Sequence, residues 1–79
     1  MHSLDLCGLR RPQPILKLRR MLRELEPGEA IRLIGDDPHL VEDIPAYCHQ
    51  AGLRLLRAED HGDHYAFELS LAPAIMVAE

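Results

Sequence analysis

At 79 residues, with 47% apolar side chains and no tryptophan, the chain has room for one domain with a single small, mainly aliphatic core. A formal charge of −4 argues against non-specific nucleic-acid binding, and no stretch approaches the ~18 consecutive apolar residues of a membrane span. The N-terminus lacks the apolar run of a signal peptide, so Cys7 and Cys48 read as free thiols and the expected setting is soluble and cytoplasmic. The five histidines are scattered with no metal-type spacing around the cysteines, which speaks against a zinc site and leaves no metal or cofactor expected.

In chain order, Ser3–Leu6 reads as a first strand, broken at Gly8 by a residue that tolerates backbone angles others avoid. Pro12 and Pro14 fall in a first helical turn, where a missing N–H matters little. Ile15, Leu18, Met21, Leu22 and Leu25 then recur on one stripe, with Lys17, Arg20 and Arg23 opposite, predicting a helix from Pro12 to about Glu26. Pro27-Gly28 closes it. Glu29–Gly35 is a second strand, with Ile31 and Leu33 on one face and Ala30, Arg32 and Ile34 on the other. Asp37 is a natural N-cap before Pro38, and Leu40, Ile44, Tyr47 and Ala51 make a second helical stripe ended by Gly52. Pro45 interrupts that stripe, since an interior proline deletes a helical hydrogen bond and costs ~3 kcal/mol. The expectation is a separate turn at Pro38–Glu42 and a helix from Asp43, with Asp43 as a second cap; a kinked helix is the alternative. Leu53–Glu59 is a third strand, Asp60–Asp63 a turn with positive φ at Gly62, and His64–Leu71 a fourth strand of clean period two. Residues 72–79 form an apolar tail.

The order is βαβαββ. Both crossovers are expected to be right-handed, and the alternating strands predict one solvated sheet face with both helices on the other. This is a two-layer α/β sandwich, a single domain over 1–79 with its core at about 4–71.

The stretch L-D-L-C-G-L-R-R-P-Q-P-I-L at Leu4–Leu16, with D-D-P at Asp36–Pro38 and D-I-P-A-Y-C at Asp43–Cys48, resembles the TusA family of small sulfur-carrier proteins, also called SirA-like. The resemblance runs from about Leu4 to Leu71. It implies a four-stranded mixed sheet of order 1-2-4-3 with the last strand antiparallel. It also implies sulfurtransferase activity: persulfide sulfur taken from a cysteine desulfurase or rhodanese-like donor and passed to a downstream relay protein for tRNA thiolation or sulfur metabolism. The family's signature is C-P-x-P, whose cysteine carries the persulfide. This chain reads R-P-Q-P, so the resemblance places Arg11 at the sulfur-bearing position.

An arginine has no nucleophile and stays protonated, so sulfur carriage needs another thiol. Cys7 is the candidate catalytic residue, four positions upstream and beside Arg10 and Arg11, which would favour its ionised form. It can also be a small apolar filler at a strand end, and Cys48 falls near the apolar stripe of the second helix. The strand–turn–helix at Leu4–Leu16 leaves backbone N–H groups at a helix start, a setting that attracts anions. Arg10, Arg11, Pro12, Pro14, Asp36 and Asp37 are therefore the candidate binding residues, because loops after successive parallel strands emerge at one sheet edge. Arg11 there either holds a phosphate, a carboxylate or an acidic partner loop, or forms a salt bridge to Asp36 or Asp37. Residues 1–23 carry +5 and the remainder −9, read as a basic face for an acidic partner or RNA, or as a solvated helix face balanced by acidic loops. Leu16, beside Arg20 and Arg23 outside the apolar stripe, is a possible anchor for a partner. Two readings stand side by side: a sulfur carrier using Cys7, and a non-catalytic protein- or anion-binding module using the Arg10/Arg11 edge.

Overall fold

The computed structural model describes residues 2–71; the apolar tail at 72–79 lies outside the described residues. The elements run β1 (His2–Asp5), α1 (Gln13–Leu22), β2 (Ala30–Gly35), α2 (Leu40–Ala51), β3 (Arg54–Asp60) and β4 (Tyr65–Ser70). They form one four-stranded sheet of order β1-β2-β4-β3. β1 pairs parallel to β2, and β4 runs antiparallel to both β2 and β3. The fold is α+β, with the mixed sheet and two helices expected from the sequence.

Register explains the core. Leu4 lies opposite Leu33, Leu33 opposite Phe67, and Ile31 opposite Leu69, so one face of β1, β2 and β4 is continuously apolar. These residues are buried together with Leu6, Leu18, Leu25, Leu40, Ile44 and Cys48. Arg32 on the other face of β2 is exposed, as the alternation predicts. At the β3–β4 turn Gly62 has φ 91° and donates its N–H to Asp60 Oδ1 at 2.9 Å. That places the positive φ where the sequence indicates.

Two helix boundaries differ from expectation. α1 ends at Leu22 rather than near Glu26. The chain there tightens into three-residue bonds, Glu24 N–H to Met21 O at 2.9 Å and Leu25 N–H to Leu22 O at 3.2 Å, which turn Leu25 into the core. α2 begins at Leu40 and runs through Pro45, so Pro38–Glu42 is not a separate turn and Asp43 is not a cap. The N–H groups of Glu42 and Asp43 both reach His39 O, at 3.0 and 2.8 Å, carrying the helix across the expected break. The physical reason is burial. Leu40 and Ile44, four apart on one face, are 1% and 0% exposed, and packing both outweighs the one bond that Pro45 deletes.

Candidate functional site

β1 and β2 are parallel neighbours, so the loops that follow them emerge at the same sheet edge. The loop after β1 holds Cys7 to Pro12, and the loop after β2 holds Asp36 to His39. Gly8 turns the first loop with φ 85°, in the left-handed region that glycine enters freely. Pro12 precedes α1, and Pro14, its second residue, is buried. Gln13 N–H reaches back to Arg10 O at 2.9 Å.

The two loops are stitched together by carboxylates. Gly8 N–H donates to Asp36 Oδ1 at 3.0 Å, and Arg10 Nη1 donates to the same oxygen at 2.8 Å. Arg11 N–H donates to Asp37 Oδ2 at 2.8 Å. The other oxygen of Asp37 accepts from His39 N–H at 3.0 Å and lies 2.9 Å from His39 Nδ1. Cys7 N–H is taken by Asp5 Oδ1 at 2.9 Å. The N–H groups of Cys7, Gly8 and Arg11 in this loop are occupied by the chain's own acids. Asp37 does not cap α2 directly, since the residue before the helix is His39; it caps the turn that leads into it.

Asp37 is 2% exposed, and the N–H groups of His39 and Arg11 hold its pKa down at about 2. The Gly8 N–H and then the Arg10 guanidinium lower that of Asp36. All three carboxylates of the cluster, counting Asp43, therefore remain charged under neutral conditions.

The Arg11 side chain goes elsewhere. Its Nε donates to Asp43 Oδ2 at 3.0 Å and its Nη2 to Asp43 Oδ1 at 2.8 Å, a two-toothed fork that is the strong geometry for this pair. The salt bridge anticipated for Arg11 exists, with Asp43 rather than Asp36 or Asp37 as its acid; Arg10 is the partner of Asp36. The fork lowers the Asp43 pKa and raises that of Arg11. Asp43 is the residue that sequence reasoning missed. Once α2 starts at Leu40, Asp43 stands three residues into the helix beside buried Ile44; the Leu40/Ile44 stripe was the signal that could have placed it there.

Of the two thiols, Cys7 is exposed and Cys48 is buried. Cys7 does not fill the core. Its thiol pKa is raised, by local desolvation first, then by its hydrogen bond to Asp5 and by the negative charges of Asp5, Asp36 and Asp63. The expected help from Arg10 and Arg11 does not arrive, because both guanidiniums are turned to carboxylates. Burial raises the Cys48 thiol. No group of three or more His, Cys, Asp or Glu side chains among the described residues is arranged to hold a metal ion.

Behind this edge lies the outer face of α1. Leu16 is 47% exposed and stands among Gln13, Lys17, Arg19, Arg20 and Arg23. A shallow hollow of about 350 Å³ runs from Leu9 along Gln13, Leu16, Lys17 and Arg20. Among the described residues Lys17, Arg19, Arg20 and Arg23 appear in no ion pair, unlike Arg10 and Arg11. No helix of the described residues is long and apolar enough to cross a membrane.

In a comparison against known families, the family described as Sulfurtransferase TusA matches residues 2–70. The match spans nearly the whole chain, and the protein belongs to the TusA sulfurtransferase family.

Proposed function

We propose that this chain serves a sulfur relay as a docking component, engaging a partner protein through its helix-start edge and the basic face of α1, without carrying sulfur at the motif position. One observation carries the reading: where the resemblance puts a persulfide-bearing thiol, Arg11 is locked in a two-toothed fork with Asp43. A guanidinium offers no nucleophile and no labile proton. The neighbouring N–H groups are committed to Asp36 and Asp37, so the edge is shaped without being reactive. Beside it, exposed Leu16 ringed by four cations that appear in no ion pair among the described residues suits an acidic partner surface with an apolar side chain to seat near Leu9 and Leu16. Partners of that kind in this family's setting are a cysteine desulfurase, a rhodanese-like donor or a relay protein, and two free thiols fit a cytoplasmic home.

The test is capture of purified sulfur-relay proteins on the immobilised chain. Wild type retains one of them, and Leu16→Asp or Arg11→Glu releases it; variants that bind everything wild type binds would defeat the docking reading. Retention on RNA that fades with rising salt would favour a nucleic-acid partner for the same cations.

A second reading rests on the exposure of Cys7 on the same loop. Its thiolate would attack the outer sulfur of a donor persulfide, displacing the donor thiolate and leaving a Cys7 persulfide. Anaerobic incubation with a cysteine desulfurase and cysteine, followed by intact-mass measurement, separates the two. A gain of one sulfur atom that vanishes in Cys7→Ser would replace docking by carriage.

A further inference from the structure

The sheet ends on β3, the outermost strand in the order β1-β2-β4-β3. All seven of its residues, Arg54–Asp60, are exposed. One side of β3 pairs with β4, and no described strand pairs with the other. An open row of backbone donors and acceptors is a template for another strand unless something blunts it. β3 contains neither proline nor lysine; it carries a bulge between Leu55 and Arg57 and four charged side chains, Arg54, Arg57, Glu59 and Asp60, which leave the edge open chiefly to a strand whose charges complement its own. Of the four large apolar side chains that are exposed among the described residues, three lie here: Leu55 and Leu56 on β3 itself, and Val41, which borders a hollow lined by Ala58, Asp60, Tyr65 and Phe67.

The charges along β3 are ordered. Arg54 and Arg57 precede Ala58; Glu59 and Asp60 follow it. Pairing with β4 sets which face each occupies: Arg57 lies opposite Glu68 and Glu59 opposite Ala66, while Ala58 lies opposite core residue Phe67. Arg57 and Glu59 therefore share the open face, and Ala58 faces the helices. An antiparallel pair keeps opposite residues on the same face, so a second β3 can approach only in registers that respect this alternation.

We infer that β3 is the contact through which two copies of this chain pair, antiparallel and two-fold symmetric about Ala58, joining their sheets into one of eight strands. In this register Arg57 of each copy faces Glu59 of the other, twice, and the small Ala58 side chains meet on the axis without a clash. Leu56 comes opposite Asp60, at the rim of the hollow that Val41 borders. A slip of two residues in one direction puts Arg57 against itself, and in the other puts Glu59 against itself, so the neighbouring registers are repelled. Within one copy Arg57 touches Glu59 only at 3.5 Å, while the other Glu59 oxygen lies 3.0 Å from His61 Nε2; the Arg57 and Glu59 side chains remain exposed, and a second copy's Arg57 would compete with His61 for Glu59. The bulge confines the contact to the second half of the strand, which makes the pairing reversible and concentration-dependent. The inference does not depend on the docking reading, because β3 and the Arg11 edge are formed by different elements.

Sedimentation velocity on the full chain, from micromolar to millimolar concentration, tests it. A monomer–dimer equilibrium is expected. Arg57→Glu and Glu59→Arg should each weaken dimerisation about tenfold, by replacing two attractions with two repulsions, and the combined R57E/E59R chain should regain it. Circular dichroism checks that each variant is folded. As an independent measurement, Ala58→Cys in a Cys7→Ser background should crosslink two copies under oxidised glutathione, each disulfide formed reducing one glutathione disulfide to two thiols. A monomer at every concentration would overturn the inference. So would a dimer that the combined variant fails to restore, which would use another face. A monomer whose outward β3 amides still exchange slowly with deuterium would assign the edge to this chain's own remaining residues and also overturn it.

Discussion

Gly35 and Leu40 couple the last residue of β2 to the first of α2, across the loop that carries Asp36 and Asp37. A Cβ built on Gly35 would run into Leu40 Cδ1 and lie 3.4 Å from Leu6 Cβ. Leu40→Ala removes three buried carbons, about 2.4 kcal/mol of transfer free energy, or about 3 kcal/mol once the cavity is included. Gly35→Ala overpacks the same spot by about 1–3 kcal/mol, offset by the about 0.5–1 kcal/mol gained when alanine replaces glycine in a strand. Independent sites would lose about 4–5 kcal/mol together. The new methyl instead enters the space Leu40 vacates, so the double variant should lose only about 3 kcal/mol, a coupling of about 1.5 kcal/mol. Urea unfolding followed by far-UV circular dichroism reads this directly. With a slope near 1 kcal/mol/M for so small a domain, Leu40→Ala should lower the midpoint by about 3 M and the double variant by no more. Additivity to within about 0.5 kcal/mol would refute the packing of Leu40 over Gly35, and with it the start of α2 at Leu40.

Three further outcomes are expected. Asp37 has a folded pKa of about 2, below its ordinary 3.8, so its stabilising effect is complete above about pH 4 and is lost as pH falls toward 2. The lowered Asp36 and Asp43 act with the same sign, and Asp37→Asn should flatten the acid limb of urea midpoint against pH; an unchanged limb would remove Asp37 from the account. Both thiols should alkylate more slowly than free cysteine at neutral pH, Cys7 because of local desolvation and then Asp5 and its acidic neighbours, and Cys48 because it is enclosed. Asp5→Asn should accelerate Cys7 alone; equal rates in the two proteins would dismiss the carboxylate as the cause. Arg11→Cys should place a reactive thiol at the start of α1 and free Asp43, giving a donor-dependent mass gain of one sulfur that wild type lacks; no gain would show that the loop is no longer built for that chemistry.

Much of the architecture could be read from the chain itself. The period-two runs at Ile31/Leu33 and Phe67/Leu69 located the core faces, and the R-P-Q-P start of α1 located the loop edge. Pro45 reads as a helix break because propensity is local, whereas the burial of Leu40 and Ile44 that outweighs it is set by the tertiary fold. The basic character of Arg10 and Arg11 misled for Cys7 in a similar way. Proximity in sequence suggested a cationic thiol environment, but the guanidiniums reach across to Asp36 and Asp43, from 26 and 32 residues away.

From its residues alone, this protein's order of elements, its two-faced strands and its family resemblance were determined, because side-chain periodicity and turn chemistry are local properties of a chain. The destination of each charge was settled only when the parallel pairing of β1 and β2 brought two distant loops together. Electrostatics depends on through-space distance, which sequence spacing does not encode, so the occupied N–H groups, the Arg11–Asp43 fork and the open edge of β3 belong to the tertiary structure.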